Sequence, residues 1–167
     1  MSKAFTDEEA GEDAPIVPQR APLPPGVPNY VTARGLARLR DELAALHAER
    51  GRAGALADEK QRGRALGALT QRRVALEQRI ATAELVPPPS ESLERVRFGA
   101  TVTVAGADGE RRYEIVGVDE ADPAQGMLAF TSPLARALVG RAAGDTIRLR
   151  TPRGEEEVVI TRVAYGE

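Results

Sequence analysis

The sequence predicts an α+β protein: an antiparallel helical hairpin of coiled-coil type, then a small antiparallel β-sheet domain with one short helix. Three observations lead there. Leu36, Leu39, Leu43 and Leu46 follow the narrow apolar seam of a helix that packs on one partner. Pro87-Pro88-Pro89 then ends the helical pattern, because proline lacks the amide donor and clashes with the preceding turn. Beyond it, short β-branched runs alternate with Gly- and Asp-containing turns.

The elements follow in order. Residues 1–29 hold six of the twelve prolines and an acidic cluster from Asp7 to Asp13. With few large apolar side chains to offset the entropy of ordering, this stretch is expected to be a disordered extension, its Pro-rich half an extended spacer. Residues 30–86 form the hairpin. Thr32 is placed to cap the first helix, and Leu66, Leu69, Leu76, Ile80 and Ala83 line the second. Gly51, Gly54, Gly63 and Gly67 each cost up to about 1 kcal/mol in a helix interior, so the distal part is expected to be the weaker. Residues 87–94 are a linker. Residues 95–167 are the sheet domain. Strands are expected at Thr101–Val104 and Arg111–Val118 across the Asp108-Gly109 turn, at Met127–Phe130, at Thr146–Arg150 and at Glu156–Tyr165. Ser132 caps a short helix with Pro133 at its first position.

Composition narrows the function. Apolar residues make up 42% of the chain but aromatics only 4%, so the core is built from Ala, Leu, Val and Ile. The net charge of -2 argues against non-specific binding to duplex DNA. The absence of cysteine excludes disulfides and thiolate metal sites and suits a reducing cytoplasm. No apolar run is long enough for a bilayer span and no signal-peptide pattern opens the chain, so a cytoplasmic protein without a membrane partner is expected. His47 is the single histidine, and no phosphate loop, metal cluster or nucleophile triad stands out. An accessory factor is expected rather than an enzyme.

Several blocks carry a resemblance. They are Phe98–Val104, Tyr113–Gly117, Asp119–Asp122, Ser132–Leu138, Gly144-Asp145, Thr151–Glu155 and Val163–Tyr165, with Tyr30–Leu36 at the start of the hairpin. In this order and spacing they resemble the Gre family (GreA/GreB) of bacterial transcription elongation factors. The resemblance covers about four fifths of the chain and leaves out the first 29 residues. It implies an FKBP-like C-terminal domain that grips the secondary-channel rim of bacterial RNA polymerase, on its largest catalytic subunit. It also implies a hairpin that enters the channel and cleavage of backtracked RNA by the polymerase itself. No cofactor is implied beyond a Mg²⁺ shared in the polymerase active site. An FKBP-like prolyl isomerase is the competing enzyme reading, and six aromatics scattered over the chain speak against its pocket.

The sequence departs from the family at the hairpin tip. The family pattern Gly-Asp, two residues, Glu-Asn is missing, and matching both ends leaves the hairpin roughly fourteen residues short, on the order of 10 Å of reach. The midpoint falls at Asp58-Glu59. These carboxylates are candidates for assisting magnesium, since that ion prefers oxygen ligands; the plainer alternative is a polar turn. Around them stand Arg50, Arg52, Lys60, Arg62, Arg64, Arg72 and Arg73. The resemblance makes them candidates for contact with the nascent RNA 3′ end, and a solvated helix face is the alternative. Thr131, Ser132 and Pro133 match the polymerase-docking loop. The GreB branch has an acidic residue where Thr131 stands here.

Overall fold

The computed structural model describes residues 20–90, 94–151 and 153–166. The protein is α+β, with a pair of helices and a five-stranded sheet. Helix α1 spans Ala33–Gly54 and α2 spans Glu59–Ala81, joined by residues 55–58. Leu39, Leu46 and Ala53 of α1 meet Leu69 and Leu76 of α2 in one core, with Val31 at its base. The 22 residues of α1 rise about 33 Å, less than the roughly 40 Å that a helix filling half of residues 32–86 would span.

For α1 the difference lies in the turn at 55–58, and for α2 it lies at the base. Ala83–Leu85, expected at the end of α2, form strand β2, which pairs in parallel with β1 (Asn29–Val31). Val86 precedes Pro87, and a residue before proline is pushed from the helical region toward extended backbone. Strand β1 offers the ladder, and the Val86 N–H donates to Val31 O at 3.0 Å. Asn29 is buried, and its Nδ2 donates to Arg79 O at 2.8 Å and Thr82 Oγ1 at 3.1 Å, closing the end of α2.

The expected disordered extension is therefore too long at its C-terminal end. Arg20 is ion-paired with Glu42 and Asp119, and Ala21 O accepts from Arg79. Val27 N–H closes a turn on Pro24 O with Gly26 at φ 74°. Polar partners distant in sequence hold residues 20–29, where local apolar burial gave no sign of order. Residues 1–19, with the acidic cluster, lie outside the described residues.

Strands β3 (Ala100–Gly106), β4 (Gly109–Val116), β5 (Met127–Ala129), β6 (Thr146–Thr151) and β7 (Gly154–Tyr165) run in the order β5-β4-β3-β7-β6. The expected wholly antiparallel sheet is corrected at one edge, where β4 and β5 pair in parallel. Residues 117–126 return the chain to the starting end of β4 through two short 3-10 turns. Gly126 makes this possible: its φ is 76°, and a Cβ there would lie 2.5 Å from Arg112 O. Helix α3 (Pro133–Leu138) contributes Ala135 and Leu138 to one core with Val102, Val104, Ile115 and Ile160. Tyr165 ties the last strand back by donating to Arg95 O at 2.6 Å and accepting from Arg97 N–H at 3.0 Å. Burial pushes the Tyr165 phenol above its ordinary value, against the effect of the Arg97 amide.

A buried polar joint ties the start of α1 to the sheet domain. Glu120 follows β4 and is only 3% exposed. Its carboxylate accepts from Thr32 Oγ1 at 2.6 Å and from Thr32 N–H at 3.2 Å, with Arg34 at 3.6 Å. Thr32 Oγ1 in turn accepts from Gly35 N–H at 3.0 Å, capping α1. Glycine is required at 35, since a Cβ would lie 2.2 Å from the Glu120 carboxyl carbon.

The two kinds of glycine in α1 should respond oppositely to alanine. Gly35→Ala displaces Glu120 and should destabilise the protein by about 1–3 kcal/mol. Gly51→Ala meets nothing within 4 Å and should stabilise it by up to about 1 kcal/mol. Urea denaturation followed by circular dichroism checks both signs.

Candidate functional site

The turn at the far end of the helix pair presents Asp58 and Glu59. Asp58 is the N-cap of α2, and its Oδ1 accepts from Gln61 N–H at 2.6 Å. Glu59 is the first helical residue, where a negative charge suits the helix dipole. Both side chains are exposed. The polar-turn role expected for Asp58 is thus filled. The cap engages one Asp58 oxygen and leaves the other, with the Glu59 carboxylate, facing solvent. Among the described residues no group of three His, Cys, Asp or Glu is arranged to hold a metal ion.

The basic candidates surround this turn, and several hold its helices in shape. Arg62 Nη1 donates to Leu56 O at 2.8 Å and so ties the turn to α2. Arg72 reaches Glu49 across the pair at 3.6 Å, and Arg73 bonds Glu77 one turn on at 2.7 Å. Arg50, Arg52, Lys60, Arg64 and Arg72 are exposed, while Arg62 and Arg73 are half-buried. His47 is exposed on α1. No helix among the described residues is long and apolar enough to cross a membrane.

Thr131, Ser132 and Pro133 sit at the opposite end of the helix pair, where the loop after β5 enters α3. Ser132 accepts from Ala135 N–H at 3.2 Å as the helix cap, and its own N–H donates to Ala129 O at 2.8 Å. Pro133 is exposed. The loop rests on a ring cluster that the sequence reading treated as scattered. Phe130 packs on Tyr30 and Phe98 with centroids 5.4 and 5.7 Å apart, and Tyr30 and Phe98 meet at 5.7 Å. These rings meet each other, so they fasten the strand preceding α1 to the β5 side of the sheet.

Sequence reasoning missed the residues that orient the two ends. Asp119 meets Arg20 and Arg79, the latter 7% exposed and 3.5 Å away. Arg34 reaches Glu114 at 2.9 Å. The hydrogen bond to Glu114 holds the Arg34 guanidinium above its ordinary value, against the opposing effect of burial. The one available signal was that Asp119-Glu120 follow directly on the apolar run Ile115–Val118.

Comparison with known proteins fits this arrangement. Residues 90–165 match the family described as "Transcription elongation factor, GreA/GreB, C-term". "Transcription elongation factor GreA" of Anaeromyxobacter sp. (strain K) is 39% identical over 156 residues, covering 82% of this chain and 92% of that protein. Its counterpart in Alkalilimnicola ehrlichii is 36% identical, covering 81% and 96%. Among solved structures, the GreA factor homolog 1 (Gfh1) of Thermus thermophilus overlaps 83% of this chain and 99% of its own, at 20% identity and a TM-score of 0.40. The helix pair and sheet thus belong to the class of transcription elongation factors. Within that class, the chain is a member of the GreA/GreB family.

Asp58→Ala should remove the α2 cap at a cost of about 1 kcal/mol, whereas Asp58→Asn should leave stability nearly unchanged, because asparagine caps as well as aspartate. Thermal melts of the two variants check this and separate the structural role of the residue from its charge.

Proposed function

We propose that the chain docks on bacterial RNA polymerase through its C-terminal domain and inserts α1 and α2, as a coiled-coil hairpin, into the secondary channel. The single observation behind this is the family match over residues 90–165, the part of the chain that holds half-buried Thr131 and Ser132 and exposed Pro133. In this reading the domain is FKBP-like, the loop meets the rim of the largest catalytic subunit, and the factor has no active site of its own. The cytoplasm is where it would find that partner. The joint at Glu120 sets the angle at which the helix pair leaves the docked domain. Basic residues near the turn are placed to meet phosphates of the extruded RNA 3′ segment, by charge and by paired guanidinium hydrogen bonds.

Cleavage of backtracked RNA would be carried out by the polymerase, where Mg²⁺ supplies the means of activating water. The part left to this chain is to offer the second Asp58 oxygen and the Glu59 carboxylate. A second reading has the protein occupy the channel and compete with other channel factors without promoting cleavage. The use of Asp58 as a helix cap and the missing family tip pattern favour it.

Full-length protein should pull down RNA polymerase, and Ser132→Arg or Pro133→Arg should weaken capture at least tenfold with the fold intact. Unchanged capture by both would remove the loop assignment.

On a stalled, backtracked complex, the competing reading expects no stimulated cleavage at saturating protein but displacement of a full-length GreA. If the tip carboxylates act, Asp58→Asn with Glu59→Gln should abolish cleavage at unchanged affinity. Cleavage that survives the double substitution would exclude these two residues.

A further inference from the structure

A groove of about 1250 Å³ runs along one side of the helix pair. Leu56, Leu69, Val74 and Ala75 line its apolar floor, and Arg52 and Arg72 stand on it. Leu56 and Val74 are 40% and 41% exposed, high for large apolar side chains on so slender a pair. Glu42 and Glu49 also line it, but each already faces an arginine, Arg20 and Arg72 respectively.

Arg20 lines the basal mouth of this groove, and the remaining chain, residues 1–19, begins there. Its composition matches the groove in order. Ile16 and Val17 come first, within about 13 Å of Arg20 in extended chain, level with the apolar floor. Asp13, Glu12, Glu9, Glu8 and Asp7 follow. Residues 1–19 carry five acids and one lysine, whereas residues 50–73 carry seven basic side chains and two acids. The lengths also agree. Asp13 lies seven residues from Arg20, about 23 Å of extended chain. Leu56 lies fourteen residues beyond Glu42, about 21 Å along the helix.

We propose that residues 1–19 dock back into this groove, with Ile16 and Val17 over its floor and the Asp7–Asp13 cluster against the basic distal end. The segment is then an intramolecular polyanion on the charged face of the helix pair. Where those arginines also meet RNA phosphates, a consequence that rests on the reading above, the segment competes with RNA for them.

The test needs no polymerase, so its failure is distinct from failure of the proposed function. The chain has no cysteine, so Ala10→Cys accepts a single spin label on the full-length protein. Amide peaks of Ala53, Leu56, Ala65 and Leu69 should lose most of their intensity at low salt. They should recover in 1 M NaCl, where the screening length falls to about 3 Å. They should also recover when Asp7, Glu8, Glu9, Glu12 and Asp13 are replaced by Asn or Gln. In a mixture of spin-labelled and isotope-labelled chains they should keep full intensity, as expected for contact within one chain. Full intensity in the singly labelled protein would overturn the proposal. So would equal loss after neutralising the five acids, or equal loss in the mixture, which would make a second copy the occupant.

Discussion

The carboxylate of Glu120 at the start of α1 is the contact on which the rest of the architecture depends. A buried charge is costly unless it is bonded on all sides. Here the Thr32 N–H and hydroxyl, with Arg34 beside them, supply the partners. The position at a helix N-terminus adds a favourable dipole interaction. Thr32 serves two ends at once, donating to Glu120 and accepting from Gly35, so the helix cap and the interdomain bond are one structure. Space is the second requirement. Gly35 leaves room for the carboxylate, and Gly117 leaves room for Tyr30 O, which a Cβ would approach to 2.5 Å. Geometry makes this joint matter far from where it lies. A tilt of about 5° at the base of a helix about 33 Å long moves its far end by about 3 Å, comparable to a whole coordination distance.

The elements visible in the sequence were those with local signatures. The leucine seam reports α1 and α2 because its partners recur every three or four residues. Ser132-Pro133 reports α3 because cap and first-turn proline act within one turn. Asp108-Gly109 reports the β3–β4 hairpin because the turn itself demands a glycine, here at φ 103°. The missed features have no such period. Asn29 lies among prolines and looks like linker, yet its amide is buried against the end of α2, fifty residues away. Arg79 reads as one more basic residue on a polar helix until Asp119 is placed beside it. The parallel β4–β5 edge depends on Gly126 and two short turns, which a strand pattern cannot distinguish from another hairpin. At the site, the sequence located the turn and the loop, but only coordinates show Asp58 bonded to Gln61.

Basic charge and helical glycines are concentrated at the same end of the helix pair. Gly51, Gly54, Gly63 and Gly67 all face open space, so each weakens its helix without relieving any contact. The surrounding basic side chains repel one another, and like charges one turn apart are unfavourable. Among the contacts that oppose this are the Arg72–Glu49 pair, the Arg73–Glu77 pair, the Arg62 bond to Leu56 O and the Asp58 cap. Exposed pairs of this kind contribute about 0–1 kcal/mol each. A polyanion bound at the distal end would therefore stabilise it. It would neutralise repulsion present in the free helix pair and order a stretch that glycine leaves soft.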